Sequence, residues 1–99
     1  MQPAFSDLIQ SELPVLIDFY AEWCGPCKSI EPEIDRLSRD MRDKVTIIKI
    51  DVEKYLQEAL HYEVRGVPTF VLIKDGQVIW KEAGVLNYQQ LQQVLSEFV

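Results

Sequence analysis

The sequence predicts an α/β domain: a mixed sheet of about four strands with helices on both faces. Three observations carry this. Short runs dense in β-branched and aromatic residues alternate with segments in which apolar residues recur every three or four positions, so strands alternate with helices. The last two strand-like runs are separated only by Asp75-Gly76, a strong hairpin signal, so the sheet cannot be wholly parallel. The 99 residues contain no repeat, linker or low-complexity tract, which fits one domain over residues 1–99 with a single core.

Taken in order, Phe5, Leu8 and Ile9 give a first helical stripe, and residues 15–20 (Val-Leu-Ile-Asp-Phe-Tyr) a buried strand. Ile30, Ile34, Leu37 and Met41 form the apolar face of a second helix that begins near Cys24, with Pro32 inside it as a bend. Residues 45–50 read as another buried strand, continuous in apolar residues as a central parallel strand should be. Leu56, Ala59 and Leu60 mark a short third helix with its stripe in the core. Residues 69–74 and 77–82 make the hairpin, and Leu91, Val94, Leu95 and Phe98 a last helix, with Asn87 and Gln90 spaced as an N-terminal capping pair. The rule that parallel crossovers are right-handed limits how the two parallel strands connect.

The only two cysteines stand in Trp23-Cys24-Gly25-Pro26-Cys27-Lys28, directly after the first strand. Thiols at this spacing can close on each other. A regular helix holds i,i+3 Cβ atoms ~5 to 6 Å apart while a disulfide wants roughly 3.8 Å, so the pair fits best where a helix is only starting. Pro26 loses nothing there by lacking an N–H, and Gly25 lets the chain turn tightly from strand to helix. Unpaired N–H groups and the positive helix end favour thiolate, the species that attacks a disulfide. A zinc site needs four ligands. Two cysteines and a distant His61 do not supply them within one chain, which leaves only a site shared between two copies. Lys28 after Cys27 removes the haem-attachment pattern.

Asp18 sits between Ile17 and Phe19 in a strand whose neighbours all seek the interior. Burial of a lone carboxylate raises its pKa toward neutrality. Thiol–disulfide exchange uses such a group, because the second cysteine must lose a proton before it attacks the mixed disulfide made by the first. Six residues before Cys24, Asp18 would lie beneath the strand-to-helix turn; the alternative is an aspartate at the solvent-facing edge of the sheet. Pro68, in Arg65-Gly66-Val67-Pro68-Thr69-Phe70, blocks backward extension of the third strand and marks a turn. On the motif alone a trans bond is the better expectation, since only about 5 to 6 per cent of X–Pro bonds are cis.

The stretch from Asp18 to Lys28 resembles the active-site signature of the thioredoxin family, and Pro32, Gly66-Val67-Pro68-Thr69, Asp75-Gly76 and Gly84 fall where that family places its helix-bending proline, cis-proline loop, hairpin turn and substrate-groove glycine. The resemblance runs over nearly the whole chain. It implies a thioredoxin fold and protein-disulfide reduction. Cys24 would be the exposed nucleophile, Cys27 the resolving thiol, Asp18 the buried proton acceptor and Pro68 a cis-proline facing the disulfide. Trp23, Gly25, Pro26, Val67, Gly84 and Val85 would form the flat apolar rim on which a client docks. A thioredoxin reductase carrying FAD and NADPH would reset the pair, the chain itself holding no cofactor and no metal.

Three departures accompany the resemblance. The family's extra first strand is missing, which leaves four strands. Many bacterial members pair the buried aspartate with a lysine of the central strand; the matching position here reads as Ile47, with Lys49 on the same strand face as the substitute. Tyr20 stands where a tryptophan is often found.

Composition narrows the function further. A net charge of −6 and the lack of any basic cluster argue against nucleic-acid phosphates as a target. The first residues have neither the basic nor the apolar region of a signal peptide, and no segment reaches membrane-spanning length, so the expectation is a monomer in a reducing cytoplasm, away from membranes. His61 is expected to be a surface residue without a role, Trp80 a sheet-face aromatic, and Asp51 with Glu53 a solvated charge cluster. Two other function classes stay open beside a disulfide reductase: a binding or chaperone module of the same fold, and a disulfide oxidant or isomerase. Gly-Pro between the cysteines resembles the reducing branch of the superfamily.

Overall fold

The structure is a computed structural model and describes residues 2–99. A four-stranded sheet runs in the order β2-β1-β3-β4, with β1 at Val15–Tyr20, β2 at Thr46–Asp51, β3 at Thr69–Lys74 and β4 at Gln77–Ala83. β1 pairs with β2 in parallel and with β3 antiparallel, and β3 and β4 form the hairpin. Asp75 and Gly76 both take positive φ, 52° and 76°, which the twist of a two-residue hairpin turn requires.

The two central strands are β1 and β3, and five of the six residues in each are buried. The sequence predicts a central strand over residues 45–50; β2 is instead an edge strand, buried at Ile50 and Asp51, half-buried from Thr46 to Ile48 and exposed at Lys49. The apolar run misleads because an edge strand still packs aliphatic side chains on both faces of the sheet, Ile47 against one cluster and Ile48 and Ile50 against the other, while its outer flank stays unpaired.

Alternation along β1 sends Leu16, Asp18 and Tyr20 to one face of the sheet and Val15, Ile17 and Phe19 to the other. The first face is covered by α3 (Glu31–Asp40) and α5 (Tyr88–Phe98), which bring Ile34, Leu37, Leu91 and Leu95 against Leu16, Phe70 and Leu72. Trp80 packs half-buried against this cluster. The second face is covered by α1 (Phe5–Leu8) and α4 (Leu56–His61). There Phe5 meets Tyr55 and Tyr62, and Tyr62 meets Phe19, with ring centroids 5.9 to 6.0 Å apart, a spacing suited to tilted aromatic pairs.

Two helices differ from their sequence reading. The helix expected to run unbroken from Cys24 is two, α2 (Gly25–Ser29) and α3, meeting at Ile30. Pro32 offers no N–H to the Lys28 carbonyl and its ring crowds that oxygen, so the helical ladder is interrupted just before the proline. In α4 only Ala59 of the expected stripe is buried; Leu56 and Leu60 are 56% and 60% exposed. α5 has the expected start, with the Asn87 side chain accepting from the Gln90 N–H and the Gln90 side chain accepting from the Asn87 N–H.

Candidate functional site: a disulfide at the sheet edge

β1 ends at Tyr20, the chain turns through Ala21, Glu22 and Trp23, and Cys24 becomes the N-cap of α2. Extended φ and ψ at Cys24 (−85°, 105°) followed by helical Gly25 set the Cα atoms of Cys24 and Cys27 5.3 Å apart, and the two sulfurs are bonded. The Cys27 N–H donates to Cys24 Sγ at 3.1 Å. That bond has a chemical consequence after reduction, because an N–H aimed at sulfur becomes a charge-assisted hydrogen bond once the sulfur is a thiolate. α2 is only five residues long, so the aimed N–H matters more at Cys24 than the dipole of a long helix would.

Pro68 follows a cis peptide bond from Val67, which agrees with the resemblance and overturns the trans expectation from the motif alone. The Val67 carbonyl oxygen lies 3.8 Å from Cys24 Sγ. Thr69 donates its hydroxyl to the Gly66 carbonyl at 2.6 Å, and Gly84 N–H donates to the Pro68 carbonyl at 2.8 Å, so both ends of the loop are tied. Gly84 holds φ at 105°, a region where a side chain is strained.

Cys24 is 4% exposed and Cys27 1%, so Cys24 is less open than its expected role suggested. Its sulfur is closed in by the Val67 backbone and the Cys27 N–H, and a partner that reaches it must contact the surrounding rim. Trp23 is 70% exposed and Val85 50%; Gly25, Pro26 and Gly84 are also exposed, and Val67 is half-buried. The structure therefore brings all six expected rim residues to the surface. It adds others that the sequence reading placed in the core or passed over. Between Trp23 and Val67 an apolar groove extends along Val52, Leu56, Leu60 and Val64. The stripe of α4 could not reveal this, since the same three-and-four spacing serves a core face and a docking face.

Asp18 is 1% exposed, on the face that carries Leu16 and Tyr20, which rules out the solvent-edge alternative. Leu16 belongs to the cluster of Ile30 and Ile34, and Tyr20 packs on the cluster of Cys24 and Cys27, so Asp18 lies between them under the strand-to-helix turn. Among the described residues its buried Oδ1 has no hydrogen-bond partner. Burial pushes its pKa up to about 7, against a downward pull from the Lys49 ammonium and a further upward push from Glu31. The register corrects the reading of the central-strand lysine. Asp18 pairs with Lys49 and Leu16 with Ile47, so Lys49 itself is the neighbour of Asp18. Its ammonium is 2.9 Å from Asp35 Oδ1. Burial lowers the Lys49 pKa, but the hydrogen bond and charge of Asp35 outweigh it and hold the ammonium above its ordinary value.

Other expectations concern residues away from this centre. His61 is exposed and meets Tyr62 edge-on at 5.2 Å. Asp51 was expected in a solvated cluster but is 6% exposed, and its Oδ1 accepts the Glu53 N–H at 2.9 Å. It fixes the turn after β2.

A sulfur pair that caps its own helix above a buried carboxyl has the equipment for two-electron exchange with another disulfide, and on this sheet it defines a dithiol–disulfide oxidoreductase. The Thioredoxin family model matches residues 1–97. Thioredoxin 1 of Chlorobaculum tepidum is 39% identical over 94 residues, covering 94% of this chain and 93% of that protein. Thioredoxin Y1, chloroplastic, of Arabidopsis thaliana is 41% identical over 95% of this chain and 55% of its own length, and the mitochondrial thioredoxin of Mus musculus 38% identical over 98% and 59%. The crystal structure of the germline-specific thioredoxin Deadhead of Drosophila melanogaster superposes with a TM-score of 0.84 at 34% identity, over 90% of this chain and 84% of that one. The chain belongs to the thioredoxin family, whose members are protein-disulfide reductases that work with disulfide-bearing clients and reductase partners.

Proposed function

We propose that this protein is a monomeric electron carrier that reduces client disulfides in a reducing compartment, the cytoplasm, and is reset by a thioredoxin reductase. The observation that carries the reading is the sulfur pair at the start of α2 with Asp18 buried between the adjacent clusters. The Cys24 thiolate attacks one sulfur of a client disulfide; a Cys24–client S–S bond forms and the other client sulfur leaves as thiolate. Asp18 takes the proton of Cys27. The Cys27 thiolate then attacks Cys24 Sγ, the client sulfur is expelled, and two electrons have passed to the client as the Cys24–Cys27 bond closes.

Val67 offers its carbonyl beside Cys24, and Pro68 holds that loop against the disulfide, so an extended client segment can align main chain to main chain regardless of its sequence. Trp23, Gly25, Pro26, Val67, Gly84 and Val85 form the docking rim. Every group used in the cycle comes from one copy of the chain, which supports a monomer. Both cysteines belong to the redox pair, leaving none for a structural disulfide, which supports a reducing compartment. FAD and NADPH enter only through the reductase.

Insulin disulfide reduction tests the reading, run with dithiothreitol and separately with NADPH and a thioredoxin reductase. Turnover in both is expected. A rate no faster than dithiothreitol alone would leave a binding module as the better reading.

A further inference from the structure

Lys49 has two carboxylates to choose between. Strand register sets it directly beside Asp18, yet its ammonium contacts Asp35 on α3 at 2.9 Å. The Lys49 and Asp35 side chains are 32% and 54% exposed, and ion pairs as open as this add little to stability. What the pair does fix is the position of a cation next to the reacting centre. Among the described residues, the charged groups that act on Asp18 are Lys49 from β2 and Glu31 from α3, with Asp35 acting through Lys49; Tyr20 lies along its own strand and packs on the cluster of Cys27 from α2, and Phe70 is its register partner on β3.

We propose that Asp35 is a positioning residue for the proton transfer: it anchors the Lys49 ammonium to α3, so that the Asp18 carboxyl keeps no direct cationic partner and accepts the Cys27 proton. This rests on the reading of Asp18 as proton acceptor. A cation in contact with a carboxylate lowers its proton affinity by roughly one to three pH units. Asp18, raised to about 7 by burial, would fall back toward an ordinary carboxylate and become a poor base for a thiol near neutral pH. Oδ1 without a hydrogen-bond partner is the structural mark of the arrangement. Glu31 supports it, since a second carboxylate on α3 disfavours charge on Asp18 and favours it on Lys49.

The test is a carbon-13 titration of the Asp18 carboxyl in Asp35→Asn, Lys49→Met and the double variant. Asp35→Asn is expected to move the midpoint down by about one pH unit, as the freed ammonium turns to Asp18. Lys49→Met is expected to move it up, and adding Asp35→Asn in that background to change it far less. An equal downward shift with and without Lys49 would mean that Asp35 acts as a bare charge, and would overturn the proposal; so would no shift, or an upward one. The pH profile of mixed-disulfide resolution, measured in single turnovers, should follow the titration midpoint across the set. Asp18→Ala separates the two readings. If that variant keeps the parent's pH profile, the proton-acceptor role fails, while the carboxyl titration still decides the anchoring by Asp35.

Discussion

Cys24 and Cys27 differ in what surrounds them more than in exposure. Cys24 receives the Cys27 N–H and lies against Val67, whereas Cys27 is 1% exposed in the cluster on which Tyr20 packs. This asymmetry gives separate expectations for each. In the reduced protein at neutral pH, Cys24 should be alkylated much faster than Cys27, because its sulfur receives a thiolate-stabilising N–H and is the less buried of the two; mass mapping of briefly treated protein checks this. Cys27→Ser should stop the cycle at the Cys24–client disulfide, visible as a covalent adduct that dithiothreitol releases. Asp18→Ala should slow resolution of that adduct by roughly a hundredfold near pH 7, the low end of general-base effects. Equal rates for variant and parent would remove the base. The sequence exposed these residues well, since each is an exception to its context: two cysteines in the whole chain, and one acid in an apolar strand. It did not show that Lys49 sits beside Asp18, because register between strands distant in sequence is set by packing on both faces of the sheet.

At the level of elements, β1, the hairpin and α5 were legible because their signals are local: a short apolar run, an Asp-Gly turn, a capping pair. The faults lie where a local pattern has two tertiary outcomes. The aliphatic run of β2 suits an edge strand as well as a central one, and the Leu56-Ala59-Leu60 stripe suits a surface that meets a partner as well as a core. The second ambiguity can be resolved experimentally. Leu60 is 60% exposed beside Trp23 and Val67, so Leu60→Ser forfeits little packing in the free protein and should leave its stability within about 0.5 kcal/mol of the parent. If the groove receives clients, the same change should raise KM for a protein disulfide several-fold while leaving reduction of a small disulfide unchanged. A loss of stability with no change in KM would return α4 to the structural role that its spacing first suggested.

For the whole molecule, the buried carboxyl couples redox chemistry to folding. An Asp exposed in the unfolded chain titrates near 3.8, while Asp18 in the native protein titrates at about 7. Below the unfolded value both states hold the proton and the native fold has its full stability. Between the two values the unfolded chain releases the proton and the native protein keeps it, so stability falls as pH rises, and the loss is complete above the native value. Three pH units correspond to about 4 kcal/mol, a large share of the 5 to 15 kcal/mol typical of a domain. Guanidinium unfolding of the oxidised parent and of Asp18→Ala at several pH values should therefore give curves that diverge above about pH 4, with the variant gaining on the parent until about pH 7 and holding a constant advantage beyond. Groups that both proteins share cancel in the difference. A difference that stays flat across this range would mean that Asp18 reaches water in the native state, and both its raised proton affinity and its part in exchange would fall together.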